Sequence, residues 1–76
     1  MGAYTDDTII RFGVHKGRQL DQVPDKWFLS FWYQNQLWYK DYKEMGIYPD
    51  AFSNVYDKRR FRVCEYIEDN FEEEQL

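Results

Sequence analysis

The sequence predicts a small α+β protein in which an N-terminal β-hairpin packs on two or three α-helices. Three observations predict it. Residues 9–14 combine β-branched and aromatic side chains and lead into a glycine-bearing turn at His15, Lys16, Gly17 and Arg18. Pro24 and Asp25 stand at the head of a dense aromatic run. Val63, Ile67 and Phe71 recur every fourth residue near the end of the chain, the spacing of an amphipathic helix.

In the first strand, Ile10, Phe12 and Val14 share one face, and Ile9, Arg11 and Gly13 take the other. Gly13 marks a bulge or a close backbone approach, and Gly17 supplies the left-handed turn position. Residues 19–23 form the return strand, short or bulged because Leu20 and Val23 are three apart. The lead-in, residues 1–8, has few apolar side chains and is expected to be loose, with Asp6 and Asp7 in solvent.

Pro24 suits a helix start because its missing N–H breaks no helical bond there, and Asp25 complements the positive helix end. From Trp27 to Tyr33 the helix is apolar around most of its girth. It therefore forms the centre of the core or leaves aromatics exposed for a partner. Two continuations are open: one helix reaching Met45, with Trp38, Tyr42 and Met45 on one face, or a break near Asn35 and Gln36. Gly46 is the C-terminal cap in either case. Residues 46–54 read as a connection, and Ser53 or Asn54 caps a last helix over residues 55–71. Residues 72–76 are expected to fray.

With 76 residues the chain supports one domain and one small core, and its 21% aromatic content helps to close that core. One cysteine and one histidine form neither an internal disulfide nor a structural zinc site. Residues 1–10 lack the basic and apolar regions of a signal peptide, and no stretch approaches a membrane helix, so a cytoplasmic location is expected. The formal charge is −4. Residues 1–10 hold two acids, residues 65–76 hold six acids and no base, and residues 11–64 hold ten bases against six acids, a net +4. Acidic ends thus flank a mildly basic centre.

The residues Phe12, Gly13, His15, Lys16, Gly17 and Arg18, with Val23, Pro24 and the aromatic helix, resemble a small bacterial and phage family described as quorum-sensing-regulated virulence factors. Tyr66, Ile67, Glu68, Asp69 and Asn70 resemble that family's closing helix. The resemblance spans residues 9–35 and 57–71. Val14 stands where the family has a basic residue, and residues 37–56 look like added material. The resemblance implies the hairpin-plus-helices architecture and no catalytic residue. Related hairpin modules accompany DNA-processing proteins.

Arg11, His15, Lys16 and Arg18 place four basic or potentially basic groups within eight residues at the expected hairpin tip. They are candidate phosphate contacts or simply a solvated turn. Lys58, Arg59 and Arg62, with Arg60 between them, form the second basic cluster. Lys58 and Arg62 lie four apart on one helical face. The nucleotide-binding glycine patterns are absent. Asp6, Asp7, Asp21 and Asp25 show no convergence toward a metal, and Cys64 reads as a buried thiol. The expectation is a noncatalytic accessory or binding module, without metal or cofactor. It contacts protein or nucleic acid through a basic hairpin tip and helix. The alternative is a small structural protein acting through an aromatic homo-oligomeric interface, suggested by three Trp and seven Tyr.

Overall fold

The computed structural model describes residues 3–76; Met1 and Gly2, the start of the expected lead-in, lie outside the described residues. Two helices carry the fold, α1 over Asp25–Glu44 and α2 over Val55–Asn70, and they pack against each other. Single 3-10 turns at Leu20–Gln22, Pro49–Ala51 and Glu73–Gln75 punctuate the connections and the end of the chain.

The α+β expectation is corrected here, because the described residues contain no strand and no sheet. The expected β-hairpin is a folded loop held by one antiparallel bridge, Ile9 with Gln19. Each neighbouring pair keeps only half of its ladder bonds. Ile10 N–H donates to Arg18 at 2.9 Å, but the Arg18 N–H turns back to His15. Leu20 N–H donates to Thr8 at 2.9 Å, but the Thr8 N–H turns back to Thr5. The Ile10 carbonyl instead accepts from Gly17 at 2.8 Å. Gly17 takes φ +93°, a conformation that side chains resist, and this shifts the register beside the turn. The return limb curls at once into Leu20–Gln22, with Val23 N–H on the Leu20 carbonyl. Packing holds the loop in place of a ladder. Ile10 and Leu20, each 1% exposed, drop into the core, a burial that contributes about 1.5–3 kcal/mol per side chain.

Helix α1 follows Pro24, which sits in extended geometry as the N-cap. One face buries Phe28, Phe31, Trp32, Asn35 and Tyr39. The helix runs unbroken through Asn35 because that buried amide is satisfied within the fold. Its Nδ2 donates to the Phe31 carbonyl at 2.8 Å, and its Oδ1 accepts from Arg60 Nε. A satisfied polar side chain gives no reason for a kink. Trp38 and Tyr42 are half-buried, whereas Met45 is exposed. At the C-terminal end Gly46 takes φ +75°. Gly46 N–H bonds Lys43, and Ile47 N–H bonds Tyr42. Together these form a Schellman stop.

Phe52 in the connection packs on Trp38, Tyr42 and Phe61 at ring-centroid distances of 6.0, 5.3 and 5.8 Å. Asn54 then caps α2, its Oδ1 accepting from the N–H groups of Tyr56 and Asp57. Helix α2 buries Phe61, Val63, Cys64, Tyr66 and Ile67. With the face of α1 and the loop residues these form one hydrophobic cluster. The N-terminal segment closes over α2: Tyr4 packs against the core, and Tyr66 Oη donates to Asp6 at 2.8 Å.

Candidate functional site

The loop expected to be a hairpin tip lies across the starts of both helices. Phe12 is its anchor, with ring centroids 5.9 Å from Phe31, 6.2 Å from Trp27 and 5.3 Å from Tyr56. His15 is half-buried against Trp27, edge to face at 6.0 Å, and its Nδ1 is buried without a hydrogen-bond partner. It is a packed residue at the head of α1. Arg11, Lys16 and Arg18 are exposed. The Lys16 and Arg18 N–H groups close the turn on Gly13 and His15.

On α2 the four basic residues separate by role. Lys58 is exposed, whereas Arg59, Arg60 and Arg62 are half-buried. Arg60 points inward. Its guanidinium stacks 3.9 Å from the Trp38 ring centroid, donates to Asn35 Oδ1 and lies 3.9 Å from Asp57. Arg62 is held by Glu65 at 2.8 Å along its own helix. Neither Arg59 nor Lys58 forms a salt bridge among the described residues.

The charges of both basic segments act on the Tyr4 phenol. Burial raises its pKa above the ordinary value, and the charges of Arg59, Arg62 and Arg11, in that order, pull it partly back. Three guanidinium groups from two separate segments therefore act on one half-buried phenol. The Phe12 and Tyr56 rings pack together beside them, next in sequence to Arg11 and one helical turn from Arg59. Of the sequence candidates, Arg11, Arg59 and Arg62 share one neighbour on which their charges act, Tyr4. His15 packs on Trp27. No side-chain hydrogen bond or salt bridge ties Lys16, Arg18 or Lys58 to that group among the described residues. Tyr4 and Tyr56 were missed as members of the surface. Tyr4 lies more than fifty positions from Arg59, so no local pattern could have found it.

A second polar cluster joins the far ends of the helices. Glu68 Oε1 accepts from Tyr39 Oη at 2.7 Å and from Lys43 Nζ at 2.6 Å. Burial works against the Glu68 carboxylate, but the hydrogen bonds from Lys43 and Tyr39 outweigh it and leave the pKa below the ordinary value. Burial, then the bond to Glu68, drives the Tyr39 phenol strongly upward. These groups hold α1 to α2. Trp32 Nε1 is buried without a partner beside an opening of about 310 Å³ lined by Gln36, Lys40, Glu68 and Phe71. Cys64 is fully buried, and burial pushes its thiol up to about 12, which makes it inert as a nucleophile at neutral pH.

Among the described residues no three His, Cys, Asp or Glu side chains gather closely enough to hold a metal ion. No helix among them is long and apolar enough to cross a membrane. The sequence matches no protein-family model, no curated protein and no solved structure.

Proposed function

We propose that the protein is a noncatalytic accessory or binding module whose contact surface is centred on Arg11, Arg59 and Arg62, with Tyr4 and Tyr56 beside them. The observation that carries the reading is the packing of Phe12 in the loop on Tyr56 at the start of α2, 5.3 Å between ring centroids, which sets Arg11 and the basic run of α2 on adjoining segments; the charges of all three arginines act on Tyr4. The surface is locally basic on a chain whose formal charge is −4. Such a surface selects a partner with closely spaced negative charges, a nucleic-acid backbone or an acidic protein segment. Guanidinium groups pair with phosphate or carboxylate in forked geometry, and the half-exposed Tyr56 ring adds a stacking platform. Binding here is positioning and charge complementarity; no bond is made or broken. We take the compartment to be the cytoplasm, where a lone buried thiol is at home.

Fluorescence anisotropy with labelled single-stranded and double-stranded oligonucleotides and an acidic peptide tests the reading at low and raised salt. Arg11→Ala and Arg59→Ala are each expected to weaken binding several-fold. If phosphates are the partner, each should also lower the salt slope by about one unit. Absence of binding to every probe at low salt would overturn the proposal.

A further inference from the structure

Helix α1 carries a second pattern along its exposed side. Lys26, Ser30, Tyr33, Leu37, Lys40 and Glu44 are spaced alternately by four and three, and all six are exposed. Alternating spacings of four and three draw a straight seam along a helix, the arrangement by which two helices interlock. Its centre is apolar: Tyr33 is 80% exposed and Leu37 is 74% exposed. Its ends are charged, with Lys26 in the first turn and Glu44 in the last.

We infer that a second copy of this chain docks on this seam, with the two α1 helices antiparallel about a two-fold axis level with Asn35. That register sets Tyr33 against the partner's Leu37 and Lys26 against the partner's Glu44. Ser30 then faces the partner's Lys40. Two-fold symmetry repeats each pairing, so two Tyr–Leu layers are flanked by two opposite-charge pairs. The charge order chooses this orientation. A parallel pair would oppose Lys26 to Lys26, Lys40 to Lys40 and Glu44 to Glu44, which places like charges at every charged layer. Lys40 is compatible with the antiparallel seam, because its Nζ is drawn back over the Trp32 ring, 5.6 Å from the centroid, and toward Gln36. The seam is independent of the arginine surface, since it uses none of Arg11, Arg59 and Arg62.

Two apolar layers make a weak dimer, so the test is sedimentation equilibrium of the full chain up to high micromolar concentration. A dimer mass is expected there. Leu37→Asp should return the mass to monomer with an unchanged circular dichroism spectrum, since Leu37 is exposed and lies outside the hydrophobic cluster. Lys26→Glu and Glu44→Lys should each raise the dissociation constant about tenfold, because either reversal converts two attractions into two repulsions. The double variant, with the charges exchanged, should recover to within about threefold of the starting chain. A monomer at every concentration, a dimer indifferent to Leu37→Asp, or a double variant no better than the singles would overturn the inference.

Discussion

Arg60 has a different part from its three basic neighbours. Its guanidinium sits over the Trp38 ring and donates to Asn35, a buried amide 25 positions earlier. Arg60→Ala is therefore expected to cost about 2–3 kcal/mol, the sum of a buried acceptor left unpaired and a lost cation–π contact. Arg60→Lys keeps the charge but not the flat fork, and is expected to recover only part of that loss. Arg59→Ala should stay within about 0.5 kcal/mol of the starting chain. Urea denaturation of the three variants checks the ranking, and equal effects of Arg59→Ala and Arg60→Ala would refute it. The basic run 58–62 is plain in the sequence, but its division among an exposed Lys58, an Arg62 paired along its own helix and an Arg60 tied to α1 is not. That division is made by Asn35 and Trp38, which reach Arg60 only when the helices pair. The same holds for His15, a half-buried partner of Trp27 where the sequence suggested a solvated tip.

Elements whose ends are set locally were the legible part of the fold. Asn54 and Gly46 each act on their own helix through neighbours a few positions away. Asn54→Ala is expected to cost about 1 kcal/mol by orphaning the first N–H groups of α2. Gly46→Ala should cost a similar amount, about 1 kcal/mol, because its positive φ penalises any side chain even though open space surrounds it. Denaturant midpoints measure both, and a neutral Gly46→Ala would mean that the stop is made elsewhere. The hairpin was misread for a related reason. Residues 9–14 do have strand-like composition, but a strand needs a partner in register. Gly17 and the curl at Leu20–Gln22 remove that partner on both sides of a single bridge. What the alternation of Ile10 and Phe12 recorded was burial against α1 and α2, which a loop satisfies as well as a strand. The choice between a broken and an unbroken α1 also depended on a distant group, the Arg60 side chain.

At the scale of the molecule, the aromatic excess that suggested an oligomer is mostly spent inside. Trp32, Tyr39 and Phe61 are buried, and Trp27 and Trp38 pack against the same cluster. This interior holds several acidic protons tightly. Burial raises the pKa of Tyr39, Tyr66 and Cys64, and hydrogen bonds to Glu68 and Asp6 add to it for the two phenols. A folded pKa above the unfolded one means that the native state keeps a proton the unfolded chain would release. That stability is full below the unfolded values, about 8.5 for a thiol and about 10 for a phenol, and is lost as the pH rises above them. The urea midpoint is therefore expected to hold near neutrality and to fall steadily above about pH 9. A midpoint unchanged to about pH 11 would contradict the burial of these groups. The closure that buries them also bears on how the chain is made. Tyr66 reaches back 60 positions to Asp6, and Ile10 and Leu20 share one cluster with Phe61 and Ile67. On a ribosome the first half emerges before Tyr66 and Phe71, the rings that pack on Phe28 from the end of the chain, have been made. The domain closes only after α2 has cleared the exit tunnel, so its folding waits for the end of synthesis and does not follow the order in which the elements appear.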